Sequence, residues 1–209
     1  MYVPKHFAET DNNELTDIIR SASFATLVTS GGGVPEGTHL PLYLDVDKGP
    51  HGALLGHVAR ANDHWKQFDG ETTALTIFTG INAYIGPNWY KSTNTVPTWN
   101  YMAIHVYGKP RVVDDPEAVL SILEHLTQTY ENDSTGYWTM EMMDQNILQG
   151  MLKGIVAFEM PIERIEGKAK MGQNKKPEDT VGAITGLRAV GAPMQEAVAG
   201  EMERRSKVC

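Results

Sequence analysis

Residues 56–62, GHVARAN, carry the residue types of an anion-binding site. The segment is expected to lead from a strand into a short helix, whose first turn offers unpaired N–H groups and the positive end of the helix dipole. Arg60 can bind a phosphate bidentately, and Asn62 can donate from its amide while it caps the helix. A capped helix beside a solvated arginine explains the same residues, so the segment alone leaves both interpretations open.

A second segment, residues 96–101 (VPTWNY), suits a planar heteroaromatic ligand. Trp99 and Tyr101 present flat apolar faces, while Asn100 and its neighbours supply polar edges. Aromatic residues at the start of a strand are also common in hydrophobic cores, which is the competing interpretation. The segment ends a long aperiodic stretch, residues 86–100, and loops of that length are usually functional or disordered.

The densest positive charge of the chain lies in residues 168–176, KAKMGQNKK. Four lysines within nine residues favour an anionic group nearby, whereas a solvated basic turn is the simpler interpretation. This third segment also follows a predicted strand.

Other chemistries lack their sequence patterns. The seven histidines, at positions 6, 39, 51, 57, 64, 105 and 125, form no HxxxH, HxH or HExxH pattern, which predicts no metal site. No GxSxG elbow, Walker loop or GxGxxG motif is present either. His57 and His105 could titrate near neutral pH, but no catalytic residue is assigned from the sequence.

Composition limits the class of partner. The 209 residues include 18 basic and 26 acidic side chains, a formal net charge of −8, which disfavours autonomous binding to a phosphate backbone. No apolar run is long enough for a membrane helix, and the start of the chain lacks the apolar core of a signal peptide. A cytoplasmic protein is therefore expected. The single cysteine, Cys209, excludes an intrachain disulfide and is interpreted as an idle tail residue.

Local patterns predict a mainly β (α+β) protein, with a six-to-eight-stranded antiparallel core and peripheral helices. Strand patterns cover residues 24–29, 38–44, 53–58, 72–79, 83–85, 101–113, 155–160 and 162–170. Helical patterns cover residues 11–22, 62–68, 115–131 and 140–153 and the region after Pro177. Pro41 cannot donate to a ladder, which predicts a bulge or an outward-facing edge there. Gly182 and Gly186 are each expected to weaken a late helix by about 1 kcal/mol relative to alanine.

Several spaced motifs together resemble the PaiB family, whose members are described as FMN-binding negative transcriptional regulators. The motifs are MYVPKHF at the start, THLP (38–41), HVARAN (57–62), VPTWNY (96–101), HVYGKPR (105–111) and KMGQNK (170–175). The resemblance covers roughly residues 1–190. It implies a split β-barrel like that of the pyridoxamine-phosphate oxidases, built as a homodimer with flavin at the subunit interface.

The resemblance also implies roles for ten cofactor-binding residues. Thr38 and His39 would lie along the flavin ring, and His57, Arg60 and Asn62 near its phosphate and ribityl chain. Trp99 and Asn100 would lie beside the ring, and Lys170, Gln173 and Asn174 would complete the pocket, with the partner subunit as one source of these three. Where the family pattern has leucine and serine, this chain has Met171 and Gly172, which puts one polar contact in doubt.

The sequence thus predicts an FMN-binding split-barrel domain over residues 1–190 and a helical or disordered tail over 191–209. We expect a cytoplasmic homodimer with FMN as cofactor and a regulatory role that is indirect or exerted through a flavin reaction. Direct DNA binding is not expected, because the cationic clusters are only residues 168–176 and Arg204, Arg205 and Lys207. The alternatives are a flavin-dependent oxidoreductase without a regulatory role and a barrel that binds haem or another planar ligand.

Overall fold

The computed structural model describes residues 1–206. The strands are β1 (Ala8–Glu9), β2 (Phe24–Thr29), β3 (Glu36–Pro41), β4 (Tyr43–Asp45), β5 (Ala53–Ala59), β6 (Ala74–Ile85), β7 (Thr98–Gly108), β8 (Arg111–Val113) and β9 (Ile155–Lys170). The α-helices are α1 (Asn12–Ser21), α2 (Pro116–Tyr130), α3 (Gln145–Leu152), α4 (Pro177–Val190) and α5 (Pro193–Arg205). Short 3-10 helices cover Lys5–Phe7, Asp63–Gln67, Pro87–Trp89 and Met140–Met142. The interpretations of Cys209 and Lys207 concern residues outside the described range.

Within residues 1–206 the strands form one nine-stranded sheet in the order β3-β2-β6-β7-β9-β5-β4, and β1 and β8 also pair with β9. The pairs β1–β9, β2–β3, β2–β6, β4–β5, β5–β9 and β8–β9 are all antiparallel. This agrees with the predicted fold class. The structure has one strand more than the predicted maximum, because β1 was not predicted and the predicted runs 38–44 and 101–113 each divide into two strands, while two other pairs of runs merge. No helix among the described residues is long and apolar enough to cross a membrane.

The chain divides into two compact units, which are described separately. Unit 1 comprises residues 1–18, 79–104 and the chain from Glu166 onward, and unit 2 comprises residues 19–78 and 105–165. In unit 1, helices α4 and α5 bury Leu187, Val198 and Met202. In unit 2, helix α2 packs on β4 and β5, and its Ile122 and Leu126 form a buried cluster with Leu55 of β5 and Ala157 of β9.

Local signals in the sequence account for the starts of two helices and for the position of Pro41. Asp115 caps α2, since its carboxylate accepts the Ala118 N–H at 3.1 Å, and Pro116 occupies the first turn. Asp11 caps α1 in the same way, accepting N–H groups at 2.8 and 3.2 Å. Pro41 is the last residue of β3, which lies at the edge of the sheet, so its missing N–H breaks no central ladder.

Two predicted strand breaks are absent. Residues 72–79 and 83–85 were expected as separate strands, but β6 is continuous because Gly80 allows close approach of a neighbour: a Cβ there would lie 3.1 Å from the Met102 Cβ. Strand β9 likewise continues through Pro161, which pairs with Ala53, the first residue of β5, where the ladder begins. Conversely, the run 101–113 divides into β7 and β8.

The glycines of α4 have a packing role that the sequence did not reveal. A Cβ on Gly182 would lie 2.0 Å from the Trp89 carbonyl oxygen, and a Cβ on Gly186 would lie 2.3 Å from the Trp89 ring. Both glycines therefore form a notch that holds Trp89 against the helix. The loop after β6 is tied to the same helix by the Ser92 N–H, which donates to the Asp179 carboxylate at 2.8 Å.

We expect the substitution Gly186→Ala to lower the free energy of unfolding by about 1–3 kcal/mol, because Trp89 must leave its position. Tryptophan fluorescence and urea unfolding would measure the change. Gly200→Ala is the matched control, since no atom lies within 4 Å of a Cβ at that helical position. There the gain in helix propensity should leave stability unchanged or raise it. Equal effects at both glycines would contradict the notch.

Candidate functional site

Polar side chains of unit 2 form a connected set, which we call the histidine network. Its centre is His64, whose side chain is fully buried in the 3-10 helix Asp63–Gln67. His64 Nδ1 lies 2.8 Å from the Thr38 hydroxyl, and His64 Nε2 lies 2.8 Å from the Thr29 hydroxyl. The Asn62 amide donates to the Thr38 oxygen at 3.0 Å. The network therefore joins β2, β3 and the turn after β5.

The network continues from Thr29 to the edge of the sheet. The Thr29 hydroxyl donates to Gln67 Oε1 at 2.7 Å, and Gln67 Nε2 donates to the Glu36 carboxylate at 2.8 Å. Asn62 also caps the 3-10 helix, because its Oδ1 accepts the His64 backbone N–H at 3.1 Å. The predicted capping role of Asn62 is confirmed, although the helix is a 3-10 helix.

Sequence reasoning treated His64 only as one of seven histidines. Its partners come from two other strands, so no local pattern reports them. The nearest available signal is its position two residues after the capping Asn62. In the structure the His64 side chain is fully buried, and each of its two ring nitrogens has a hydrogen-bond partner.

The histidines predict how stability depends on pH. Burial lowers the pKa of His64 below its ordinary value of 6.5, and burial shifts the pKa of His57 and His105 in the same direction. The unfolded chain therefore binds more protons than the native protein below about pH 6.5. We expect the free energy of unfolding to fall on acidification from about pH 7.5 to 5.5, by at most about 1.4 kcal/mol per pH unit for each histidine.

Urea unfolding across that range would measure the slope, and the range stays above the ordinary pKa of carboxylates. The variant His64→Phe should lose part of the slope. A free energy of unfolding that does not change with pH would show that these imidazoles accept protons freely in the native state.

Thr38 and His39 point to opposite faces of β3. Thr38 belongs to the histidine network, whereas His39 is exposed, lies 2.9 Å from the Thr26 hydroxyl and stacks on Phe24 at 6.4 Å between ring centroids. The two side chains that the resemblance assigns to one flavin ring thus face different surroundings. Of the two, only Thr38 hydrogen-bonds to members of the histidine network.

His57 lies beneath the helices of unit 2 rather than beside the other polar residues. It lines an apolar cavity of about 210 Å³ together with Trp138, Met140, Met143 and Met151, among others. Its Nδ1 atom is buried and has no hydrogen-bond partner among residues 1–206. These surroundings are a weaker match to a phosphate than those of Arg60, and the predicted contact of His57 stays a prediction.

Arg60 is held in a fixed orientation at the end of β5. Its Nε donates to the Lys153 carbonyl at 2.9 Å and its Nη2 to the Ile155 carbonyl at 2.8 Å. The guanidinium lies 6.0 Å from the Trp65 ring centroid, and the Trp65 indole N–H donates to the Arg60 carbonyl. The hydrogen bonds described for Arg60 leave its Nη1 end for a further acceptor. Arg60 and Trp65 also line a cavity of about 470 Å³.

In unit 1, Lys170 joins the end of β9 to the start of β7. Its ammonium donates to the Thr98 hydroxyl and, at 2.8 Å, to the Trp99 carbonyl. Burial, and then the charges of Lys168 and Lys175, lowers the pKa of Lys170. The Trp99 side chain is 54% exposed and meets Tyr84 edge to face at 6.2 Å. A cation and an exposed aromatic face therefore lie side by side in unit 1.

The remaining predicted residues of unit 1 divide between the core and a turn. Asn100 is buried, and its amide contacts the Met202 sulfur at 3.2 Å. Gln173 closes the turn after β9, since its Oε1 accepts the Met171 N–H and its Nε2 donates to the Ala169 carbonyl. Asn174 is exposed in the same turn.

Gly172, where the family pattern has serine, lies in a left-handed turn. Gly172 has φ of +81°, in the left-handed region where a serine would be strained. The glycine lines a cavity of about 420 Å³ with Met171, Lys175 and Thr180. Lys175 also lies 4.7 Å from the Tyr90 ring centroid, so the basic turn is packed against the long loop. Among the described residues, no group of three or more His, Cys, Asp or Glu could hold a metal ion.

Comparisons of the sequence with known proteins find related chains. The profile of a family described as "Putative FMN-binding domain" matches residues 1–164. Over 210 residues the chain is 35% identical to the "Protease synthase and sporulation protein PAI 2" of Bacillus subtilis, and the match covers 99% of each chain.

Solved structures share the fold at low sequence identity. The flavocytochrome Anf3 of Azotobacter vinelandii matches with a TM-score of 0.64 at 12% identity, over 80% of this chain and 72% of that one. The FAD and heme binding protein of Mycobacterium smegmatis matches with a TM-score of 0.61 at 14% identity, over 78% of this chain and 73% of that one. These likenesses confirm the predicted split-barrel fold class.

Proposed function

This chain belongs to the family of FMN-binding domains whose profile spans residues 1–164, and we propose that it binds FMN. Arg60 carries this proposal, because two backbone carbonyls and the Trp65 ring hold its guanidinium with the Nη1 end available. A guanidinium fixed in this way is suited to a phosphate oxygen, since little side-chain entropy remains to be lost on binding.

The other residues of unit 2 suit the polar parts of the cofactor. Thr38 and Asn62 present hydroxyl and amide groups that the histidine network fixes, and both lie within the range of the family profile. We assign them to the ring edge and the ribityl chain. For His39 and His57, the placement along the ring and near the phosphate rests on the resemblance alone.

The residues of unit 1 suit a flat ring and an oxygen atom that carries negative charge. The exposed Trp99 face can contact a flat heteroaromatic ring, and the Lys170 ammonium can interact with a carbonyl or phosphate oxygen. Gln173 and Asn174 lie beyond residue 164, so their assignment depends on the similarity to PAI 2, which covers 99% of this chain. Asn100 is buried against Met202, so we assign it to supporting the start of β7.

Bound FMN would supply hydride or single-electron transfer, and the protein would set the surroundings of the ring and access to it. In unit 2, Arg60 would bind the phosphate and Thr38 would orient the ring. A flavin-dependent reaction without a regulatory role is the second function that the same residues permit.

The absorbance spectrum of the purified protein is the first test. A flavin spectrum supports the proposal, whereas a Soret band would support the alternative of a haem-binding barrel. Equilibrium titration of the flavin-free protein with FMN, FAD and riboflavin then tests the choice of cofactor. We expect FMN to bind tightest, and tighter binding of FAD would overturn the assignment of FMN.

We also propose that the protein is a cytoplasmic homodimer. Trp99 and Tyr84 are 54% and 46% exposed in unit 1, and Phe24 is 68% exposed in unit 2, which leaves large aromatic side chains for an interface. Trp89 and Tyr90, the other large aromatic residues of the long loop, are already half-buried within unit 1 and therefore offer less surface for an interface. Sedimentation at micromolar protein would test association, and a monomer would contradict it.

We propose that a regulatory role of this protein is indirect. A dimer would carry twice the charge of −8, and Arg204 is already paired with Glu14 and Glu201. We therefore expect no sequence-specific DNA affinity better than about 10⁻⁶ M at physiological salt, with or without FMN. A salt titration with promoter fragments measures this. Nanomolar binding with a steep negative salt slope, reduced by substitution of Lys175 or Arg204, would establish a direct repressor.

A further inference from the structure

The hydrogen bonds of the histidine network have only one consistent direction. Gln67 Oε1 accepts the Gly31 backbone N–H at 2.9 Å, and Gln67 Nε2 faces the Glu36 carboxylate, which fixes the orientation of this amide. The Thr29 hydroxyl must then donate its proton to Gln67 Oε1. Because that proton is committed, Thr29 can only accept from His64, so His64 carries its proton on Nε2.

The direction continues through the ring of His64 to Thr38. A neutral imidazole with its proton on Nε2 has an acceptor at Nδ1, so the Thr38 hydroxyl must donate to it. The other end is fixed independently, because Asn62 Oδ1 accepts the His64 backbone N–H and leaves only Nδ2 to face Thr38. Thr38 thus donates one hydrogen bond and accepts one.

One lone pair of the Thr38 oxygen remains available, whereas the hydroxyl proton is already donated to His64. The side chain is half-buried, so the free lone pair can still reach a ligand. An approaching carbonyl or unprotonated ring nitrogen would meet this lone pair without a proton between them. An approaching N–H group could donate a hydrogen bond to this lone pair.

We propose that Thr38 accepts a hydrogen bond from the N3–H of bound oxidised flavin, and that His64 is the positioning residue that keeps Thr38 an acceptor. This inference rests on the proposed function. N3–H is chosen because it is the one ring N–H of an oxidised flavin. The network thereby selects planar ligands that offer a donor at this edge.

Equilibrium binding of FMN and of N3-methyl-FMN to the flavin-free protein tests the proposal by flavin fluorescence. We expect N3-methylation to weaken binding to the wild type about ten- to a hundredfold, since the Thr38 lone pair loses its donor. In Thr38→Val, which has nearly the same shape, the two ligands should bind within about threefold of each other. Thr38→Ser keeps the hydroxyl and should keep the discrimination.

The variants separate a hydrogen bond from a simple clash with the methyl group. A steric origin would leave the discrimination intact in Thr38→Val and would overturn the proposal. Thr185→Val is the control for loss of a hydroxyl, since Thr185 in α4 donates only to the Val181 carbonyl among its described hydrogen bonds. Its discrimination should equal that of the wild type.

His64→Phe tests the positioning role, because it removes the acceptor that holds the Thr38 proton. FMN binding should persist while the discrimination between the two ligands falls, and urea unfolding would confirm that the variant is folded. If it does not fold, the Thr38 variants still decide the proposal. A wild-type protein that binds both ligands equally overturns this inference alone, whereas one that binds neither overturns the proposed function and this inference with it.

Discussion

Replacement of Arg60 by alanine is expected to weaken FMN binding about ten- to a hundredfold and riboflavin binding by less than about threefold. A hydrogen bond to a charged group contributes about 1.5–3 kcal/mol, and riboflavin has no phosphate to lose it. Equilibrium titration of the flavin-free variant with both ligands measures the difference. Arg20→Ala, at an exposed arginine in the last turn of α1, is the control and should leave both affinities unchanged.

The structure adds a second effect to the same variant. Arg60 binds the carbonyls of Lys153 and Ile155, which follow helix α3, so the variant should also unfold at lower urea concentration. This structural role makes riboflavin an essential comparison. Equal losses for FMN and riboflavin would show that Arg60 supports the fold without contacting the phosphate.

Replacement of Arg205 by methionine is expected to lower the free energy of unfolding by about 3 kcal/mol. Arg205 bonds to Glu9, Glu14 and Glu201 within unit 1, and the Arg205, Glu9 and Glu201 side chains are 16%, 9% and 13% exposed. Removal of the cation leaves the largely buried Glu9 carboxylate with only the Thr10 and Asp11 backbone N–H groups among its described partners, and loss of one partner is the costly outcome for a buried ion pair. Urea unfolding would measure the loss.

Arg188→Met supplies the comparison for Arg205. Arg188 pairs with Glu203 at 2.7 Å, but the two side chains are 46% and 56% exposed, so this pair should contribute less than about 1 kcal/mol. Similar losses for the two variants would mean that burial does not determine the contribution of these ion pairs.

Elements that depend on neighbours in the sequence could be predicted from it. The caps Asp11, Asn62 and Asp115 bind N–H groups two or three residues away, so residue type and spacing suffice to identify them. Strand ends were predicted less well, because tertiary pairing decides them. The β ladder with Ala53 carries β9 through Pro161, which on its own is a strand breaker.

The candidate site shows the same division. Arg60 and Asn62 were singled out because a strand-to-helix turn has a local signature, whereas the role of His64 depends on hydroxyls from β2 and β3. Gly186 was read only as a poor helix residue, since the Trp89 ring that requires it lies nearly a hundred positions earlier in the chain. The similarity between motifs named ten residues and assigned Thr38 and His39 to one ring, whereas the alternation of side chains along the predicted strand already places these neighbours on opposite faces.

Strand β9 constrains how this protein is made in the cell. Ala59 of β5 pairs with Ile155, and Ala8 of β1 pairs with Lys168, so both strands lack their partners until the ribosome has made most of the chain. At about 5–20 residues per second, synthesis from Ala59 to Lys170 takes about 5–20 s. During that interval β5, with four buried residues in succession from Ala53 to Gly56, has no β9 to cover its edge. The sheet is therefore completed only after β9 has been made, and until then the unpaired edge of β5 is the kind of apolar strand that aggregates or binds chaperones.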